Sequence, residues 1–305
     1  MSGEPINPAR TTWMRQGVDM NGVDDGHHRA RYAMRAWPIA VLLGIATCLF
    51  SETCALADQV QVVTSNAAYA DIARQIGGAA VAVSVVDSPS RAASSVRPNS
   101  IVICGGARAG AALRDAARRA MPNATLIELR RSQPDISIDL QWYDTAPVSA
   151  LAQAYADQLM RIQPGLALQF AGNLIRVHAG LVAIDRTIVG IAKDYANSEV
   201  VAAGPLSRAI ATKLGFQAAG PAAAGEMSAK SADDLKKSLE SREGSIFLYD
   251  SDAAIPEIKK LASVARQNGI PVVALQDKLP KRLRYQQWVL RQWNAVHGAL
   301  NEASP

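Results

Sequence analysis

Histidine, cysteine and aromatic residues are the scarce materials of this chain. Of its 305 residues four are histidine and three cysteine, and aromatics make up 5%. His27, His28, Cys48 and Cys54 all fall before residue 58. The remainder keeps only His178, His297 and Cys104, so no disulfide can close within it. Charge is thin as well: 32 basic against 27 acidic residues leave a net +5. The densest basic cluster, Lys278 to Arg284, carries no interleaved aromatics. Nucleic-acid binding calls for a denser stripe with rings to stack on, and is excluded on that ground. Catalytic constellations are missing too. There is no Gly-x-Ser-x-Gly elbow, and neither remaining histidine falls near a loop serine. Cys104 sits in a short apolar run and reads as a core thiol. The stretch Gly105 to Gly110 (GGARAG) lacks the Gly-Lys-Ser/Thr that a phosphate loop needs. The expectation is a protein that is not an enzyme.

The longest apolar run is Ala36 to Phe50, 15 residues, short of the roughly 20 that a bilayer span needs. It follows Arg29, Arg31 and Arg35 and precedes Ala55-Leu56-Ala57. Basic flank, short apolar run and Ala-x-Ala site together describe a secretory signal cut after Ala57. Met34 is an alternative start, and an uncleaved anchor the rival reading. Residues 1–57 are therefore set apart as signal and upstream extension, and the product is expected in the periplasm.

The rest, with 49% hydrophobic residues in the whole chain, can build a real core. Strands are expected over 59–64, 81–86, 101–104 and 125–129, helices over 67–76 and 107–120, and a polar loop over 87–99. From Leu166 to Tyr195, the residues Phe170, Leu174, Val177, Leu181, Ile184, Ile188, Ile191 and Tyr195 recur at alternating steps of 4 and 3. That stripe marks one buried face of a helix about 45 Å long. Flanking charges are too sparse to favour a coiled coil. Alternation then resumes, with strands over 200–203, 245–249 and 272–275 and helices over 206–214, 231–241, 255–268 and 282–300. Ser231 is the expected helix cap, and 218–224 a flexible Ala/Gly/Pro segment. The fold class is α/β: two Rossmann-like lobes, 58–164 and 198–305, joined by a long backbone helix over 165–197. Ligands of such sheets bind outside the carboxyl ends of the strands, here in the cleft between lobes.

The order of the segments VVTSNAAYADIARQIGG (62–78), NSIVICGGARAGAAL (99–113), WYD (142–144), VVAAGPLSRAIATKLGF (200–216), SIFLYDSDAA (245–254) and GIPVVALQDKL (269–279) resembles the TroA-like (cluster A-I) zinc/manganese solute-binding proteins of ABC importers. The resemblance implies a rigid two-lobed periplasmic receptor that hands a metal ion to a permease at the inner membrane, expected as a monomer. It also implies a site of three histidines and a carboxylate, which this chain does not keep. The stretch Asp87 to Asn99 has no histidine, and Leu140 and Gly204 stand at two further histidine positions. Tyr249 stands at one acidic position, with Asp250 and Asp252 just beyond; the last acid survives as Asp277.

A three-histidine zinc site is therefore not available. Asp87, Asp144, Asp250, Asp252 and Asp277 lie near expected strand ends, where carboxylates without histidine would favour a hard divalent cation such as manganese, calcium or magnesium. Such residues are equally the usual helix caps and turn formers. A larger cargo, such as a metal chelate, would rest on Trp142, Tyr143 and Tyr249. Arg91, Arg97 and Arg208 would receive an anionic one. The candidate ligand-binding residues are thus Trp142, Asp144, Tyr249, Asp250, Asp252 and Asp277, with Asp277 the metal candidate and zinc or manganese a cargo rather than a cofactor. Two readings follow: a receptor with altered cargo, or a degenerate paralogue that keeps the fold as a periplasmic accessory or interaction protein.

Overall fold

A computed structural model describes residues 59–304 apart from 87, 106–107, 121–124, 130–137, 221–227 and 242–243. The signal segment expected over 1–57 and Asp87 lie outside the described residues. Among those described, no helix is long and apolar enough to cross a membrane.

Two parallel four-stranded sheets carry the fold. The first is ordered β2-β1-β3-β4, from β1 (Val60–Thr64), β2 (Val81–Val85), β3 (Ile101–Cys104) and β4 (Thr125–Glu128). The second repeats that order as β6-β5-β7-β8, from β5 (Glu199–Ala203), β6 (Gln217–Ala219), β7 (Phe247–Asp250) and β8 (Val272–Leu275). The central strands are buried on both faces, which is why β3 reads as IVIC and β5 as VVAA rather than as alternating patterns. Helices α1 (Ala67–Gly77), α2 (Pro89–Ser95), α3 (Arg108–Ala120) and α4 (Thr145–Ile162) belong to the first half of the chain. In each sheet the chain leaves its first strand to one side and returns to the other, so a crevice opens at the carboxyl ends of β1/β3 and of β5/β7.

Between the sheets runs α5 (Ala167–Tyr195), 29 residues and about 43 Å long. Seven residues of the expected stripe are buried on it, from Phe170 to Ile191. The eighth, Tyr195, is half-buried and hydrogen-bonds Asn301 of the last helix. The remaining helices are α6 (Pro205–Leu214), α7 (Ala229–Glu240), α8 (Pro256–Gln267) and α9 (Tyr285–Ala303).

Local differences from the sequence reading have plain causes. The polar stretch 87–99 contains α2, with Pro89 at its first turn, where a missing N–H costs nothing. Ser228, not Ser231, caps α7; Ser231 is the third helical residue and closes a reciprocal capping box. Part of the expected flexible segment is the edge strand β6, paired with β5 from Glu199 to Val201. The sequence reading left α4 unassigned, although its Val148, Leu151, Ala152, Tyr155, Ala156 and Leu159 form a buried 3–4 stripe.

The last helix does not stay with the second sheet. At its start, Tyr285 N–H donates to Asp71 of α1 (2.8 Å), and Gln286 meets Gln75 of α1 (2.9 Å). Tyr285 Oη donates to the Trp142 carbonyl at 2.6 Å. Trp288 stacks on Trp142 with ring centroids 4.1 Å apart, and Trp293 meets Tyr143 edge-on at 6.1 Å. One continuous hydrophobic core therefore runs from β1 through α5 and α9 to β8. Because both sheets share it, Trp288→Ala should cost about 3–5 kcal/mol, and calorimetry should show a single transition for both halves, lowered as a unit.

Candidate functional site

The crevice of the second sheet is built from backbone upward. After β5 the chain must turn sharply into α6, and Gly204 makes that turn at φ +137°, a conformation that L side chains rarely adopt. A side chain here would also overlap the Asp250 carboxylate from the end of β7. That carboxylate fills the space instead. Its Oδ2 accepts from Leu206 N–H and its Oδ1 from Ser207 N–H, both at 2.8 Å, so it caps α6 with both oxygens. Asp250 is 5% exposed; burial raises its pKa while those two N–H groups pull it down.

Two residues on, the chain reaches Asp252, and the next strand ends just before Asp277. Asp252 Oδ2 accepts from the backbone N–H of Asp277 (2.9 Å) and of Lys278 (3.3 Å). The two carboxyls also interact with each other, so they titrate as a pair. Partial burial, with Asp252 alongside, pushes Asp277 up to about 6. The hydrogen bond from Asp277 holds Asp252 below the ordinary carboxylate range.

The first half of the chain closes over this edge with Tyr143. Its hydroxyl donates to the Gln276 carbonyl (2.9 Å) and accepts from the Gln292 amide. Burial, and then Asp250, raise its pKa well above the phenol value, so it stays a neutral donor. Gln292 in turn clasps Gln276, donating to its carbonyl at 2.8 Å and accepting from its N–H at 3.2 Å. Tyr143 was foreseen as a stacking surface; Gln292 was not foreseen, and nothing in its sequence context marks it.

The six candidates thus separate. Asp250, Asp252 and Asp277 come together at the ends of β7 and β8. Tyr249 is half-buried beside them, its ring 5.9 Å from Phe247. Trp142 is 1% exposed and its ring is spent on Trp288, so it offers no face to a ligand. Asp144 lies at the start of α4 rather than at a strand end. It caps that helix through Ala146 N–H and pairs with Lys213 of α6 at 3.1 Å. It lines a separate cavity of about 520 Å³ with Thr145, Ser149, His178 and Asp185. There Ser149 Oγ stands 3.3 Å from His178 Nε2, a pairing the sequence reading did not anticipate. Ser149 sits inside α4, where the backbone N–H groups are used by the helix, so its own backbone offers no oxyanion donor. Arg208 is no anion receptor: its guanidinium is committed to the carbonyls of Ala218 and Gly220. Arg91 and Arg97 are exposed, on and just after α2. His297 faces Tyr195 edge-on, ring centroids 6.0 Å apart. Cys104 is buried and pushed up to about 12, an inert thiol.

Among the described residues no group of three or more His, Cys, Asp and Glu side chains is placed to hold a metal ion. The chemistry on offer is a pair of neighbouring carboxylates that titrate together, with a phenol and an amide nearby. A divalent cation placed between them would gain two hard oxygen donors and keep the rest of its coordination sphere.

Two outcomes test this arrangement. Below about pH 4 Asp277 is protonated folded or unfolded, and its contribution to stability is full. As pH rises through about 6 the folded protein gives up a proton it held more tightly than the unfolded chain, and stability falls. Asp252, shifted downward, acts in the opposite sense but only below about pH 4. Melting temperatures from pH 4 to 7 should therefore decline more steeply in the wild type than in Asp277→Asn. Asp250→Ala removes a helix cap and should cost about 2 kcal/mol at neutral pH, read by denaturant titration.

No family model matches the chain, and no curated protein matches it in sequence. Solved structures do. The periplasmic zinc-binding protein TroA from Treponema pallidum superposes with a TM-score of 0.60 at 15% identity, covering 79% of this chain and 99% of that one. The solute-binding protein FpvC from Pseudomonas aeruginosa, solved with Mn²⁺, gives 0.61 at 14%, covering 81% and 100%. The laminin-binding adhesin Lmb from Streptococcus agalactiae, in a mutant structure, gives 0.59 at 13%, covering 79% and 99%. The chain has the TroA-like fold that these proteins share.

Proposed function

We propose that this protein is an exported solute-binding receptor of a metal-type ABC importer. It takes a divalent cation that arrives with ligands of its own, hydrated or chelated, at Asp252 and Asp277. The observation that carries this reading is the Asp252–Asp277 carboxylate pair at adjoining strand ends, Asp252 bound to the backbone N–H of Asp277 and Lys278, beside a crevice where Asp250 fills the space a side chain at Gly204 would occupy. Two protein carboxylates make an incomplete site for a bare zinc ion and an adequate one for a cation whose other donors travel with it. The likeness to TroA and FpvC, whose structures are described with zinc, nickel and manganese, supports the same class of cargo. Export rests on the signal-like segment ending at Ala57, and delivery to a permease on the fold.

The competing reading is a periplasmic interaction protein that has given up cargo. The adhesin among the structural neighbours and the absence of a three-ligand site among the described residues favour it. Thermal unfolding of the purified protein against Zn²⁺, Mn²⁺, Ni²⁺ and their citrate complexes separates the two. A receptor should gain about 2.7 kcal/mol at 100 times the dissociation constant, several degrees for a protein of this size. The gain should vanish in Asp277→Ala, shrink in Asp252→Ala and persist in Asp144→Ala. No stabilisation by any metal or complex would favour the interaction reading.

A further inference from the structure

The densest basic cluster of the chain, too sparse for nucleic acid, begins beside the acid pair. Between β8 and α9 the loop carries Lys278, Lys281, Arg282 and Arg284, all exposed. No acidic residue follows them until Glu302. The loop is held at both ends and in its middle. Lys278 N–H donates to Asp252, and Tyr285 N–H to Asp71 of α1. Leu279 and Leu283 are half-buried against the shared core, and Leu283 N–H donates to the Pro280 carbonyl at 3.0 Å. With both leucines turned inward, the four cations are left on the outside. None of them forms an ion pair among the described residues. The acids bearing on the loop are Asp252, Asp277 and Asp71. Of these, Asp71 is already engaged by Tyr285 N–H and the Gln75 amide. The Lys278 ammonium stands within electrostatic reach of both Asp252 and Asp277.

A bare divalent cation suits this neighbourhood poorly, because the two carboxylates attract it while the adjoining run of cations opposes it. A cargo of both signs suits it well, with a cation at its centre for the acids and anionic groups at its rim for the loop. We propose, resting on the receptor reading above, that the cargo is a divalent cation held in an anionic polycarboxylate chelate. Lys278, Lys281 and Arg282 are then the residues that bind the chelator. A polycarboxylate supplies both the oxygens that hold the metal and spare ones that remain charged. The metal keeps those ligands and adds Asp252 and Asp277. The spare oxygens accept from the two ammonium groups and, in bidentate fashion, from the Arg282 guanidinium. Chain length permits this reach: the Cα atoms of Lys281 and Arg282 lie at most about 11 and 14 Å from that of Lys278. Long side chains and a chelate between them close that span. Arg284, where α9 begins, adds to the positive field around the chelator.

Isothermal titration calorimetry of the purified protein with Ni²⁺, with citrate and with their singly negative 1:1 complex tests the proposal. The complex should bind about tenfold more tightly than Ni²⁺ alone, and more weakly as NaCl is raised. The double variant Lys281→Gln, Arg282→Gln should weaken the complex about tenfold, and Lys278→Gln about threefold. The same variants should bind bare Ni²⁺ more tightly, since a repelling charge is gone. All three basic positions are exposed, so an unchanged melting temperature separates a lost contact from a lost fold. Asp277→Ala should abolish binding of both metal forms. Equal affinity for Ni²⁺ and its complex, with the basic variants behaving like the wild type, would overturn the chelate and leave the receptor reading standing. Citrate that binds as tightly as its complex, and still binds Asp277→Ala, would make the loop a plain anion site and overturn the proposal too. No binding of either Ni²⁺ or the complex would overturn the receptor reading itself, and this inference with it.

Discussion

Gln292 sets the relation between the two halves of this protein. Its side-chain amide clasps both polar groups of the Gln276 backbone and reaches the Tyr143 hydroxyl, all inside a wall of tryptophan. One amide thus ties the end of β8 to the segment that precedes α4. Around it Trp142, Trp288, Trp293 and Tyr285 are fully buried, so the junction is as dense as the interior of either half. The consequence is mechanical. The shared core and the long helix together give the crevice a packed floor.

The same packing bears on the turn after β5, where the resemblance implies a histidine and Gly204 stands. At the turn after β5 the absence of a side chain is structural: Gly204 has the φ of a glycine position and no room for a Cβ, because the Asp250 carboxylate stands there and caps α6. Restoring a ligand there would require removing the cap and straining the turn together. Substituting a histidine at Gly204 alone would therefore disturb the turn and the cap without adding a usable ligand. What remains at the strand ends is the Asp252–Asp277 acid pair, with Asp277 pushed up to about 6 and Tyr143 too deeply buried to ionise.

Much of the fold was legible before any coordinates, because its signals are local. Continuous β-branched runs gave the buried strands, and the alternation of 4 and 3 from Phe170 gave α5. Helix α4 was harder: its alanines dilute the apolar stripe, and the WYD preceding it suggested a strand end. The site was legible only as a composition of acids. Sequence placed Asp250, Asp252 and Asp277 near one another, yet nothing in it separates a capping carboxylate from one that faces solvent. That distinction rests on where the N–H groups of Leu206, Ser207, Asp277 and Lys278 point. Trp142 misled for a related reason. An aromatic beside a cleft segment is read as a ligand platform, but the tryptophan it stacks on lies 146 residues away in α9. Gln292 is likewise visible only through its partners.

The central claim is that Asp252 and Asp277, and not the closed Asp250–Gly204 corner, are where a cation is received. Anomalous diffraction from crystals soaked in Mn²⁺ above about pH 6, where the pair has released its proton, tests it most directly. The account predicts a single peak bridging the Asp252 and Asp277 carboxylates, with Asp250 still bonded to the N–H groups of Leu206 and Ser207. A peak at Asp250 with that cap broken, or in the cavity of Asp144, His178 and Asp185, or nowhere on the protein, would contradict it.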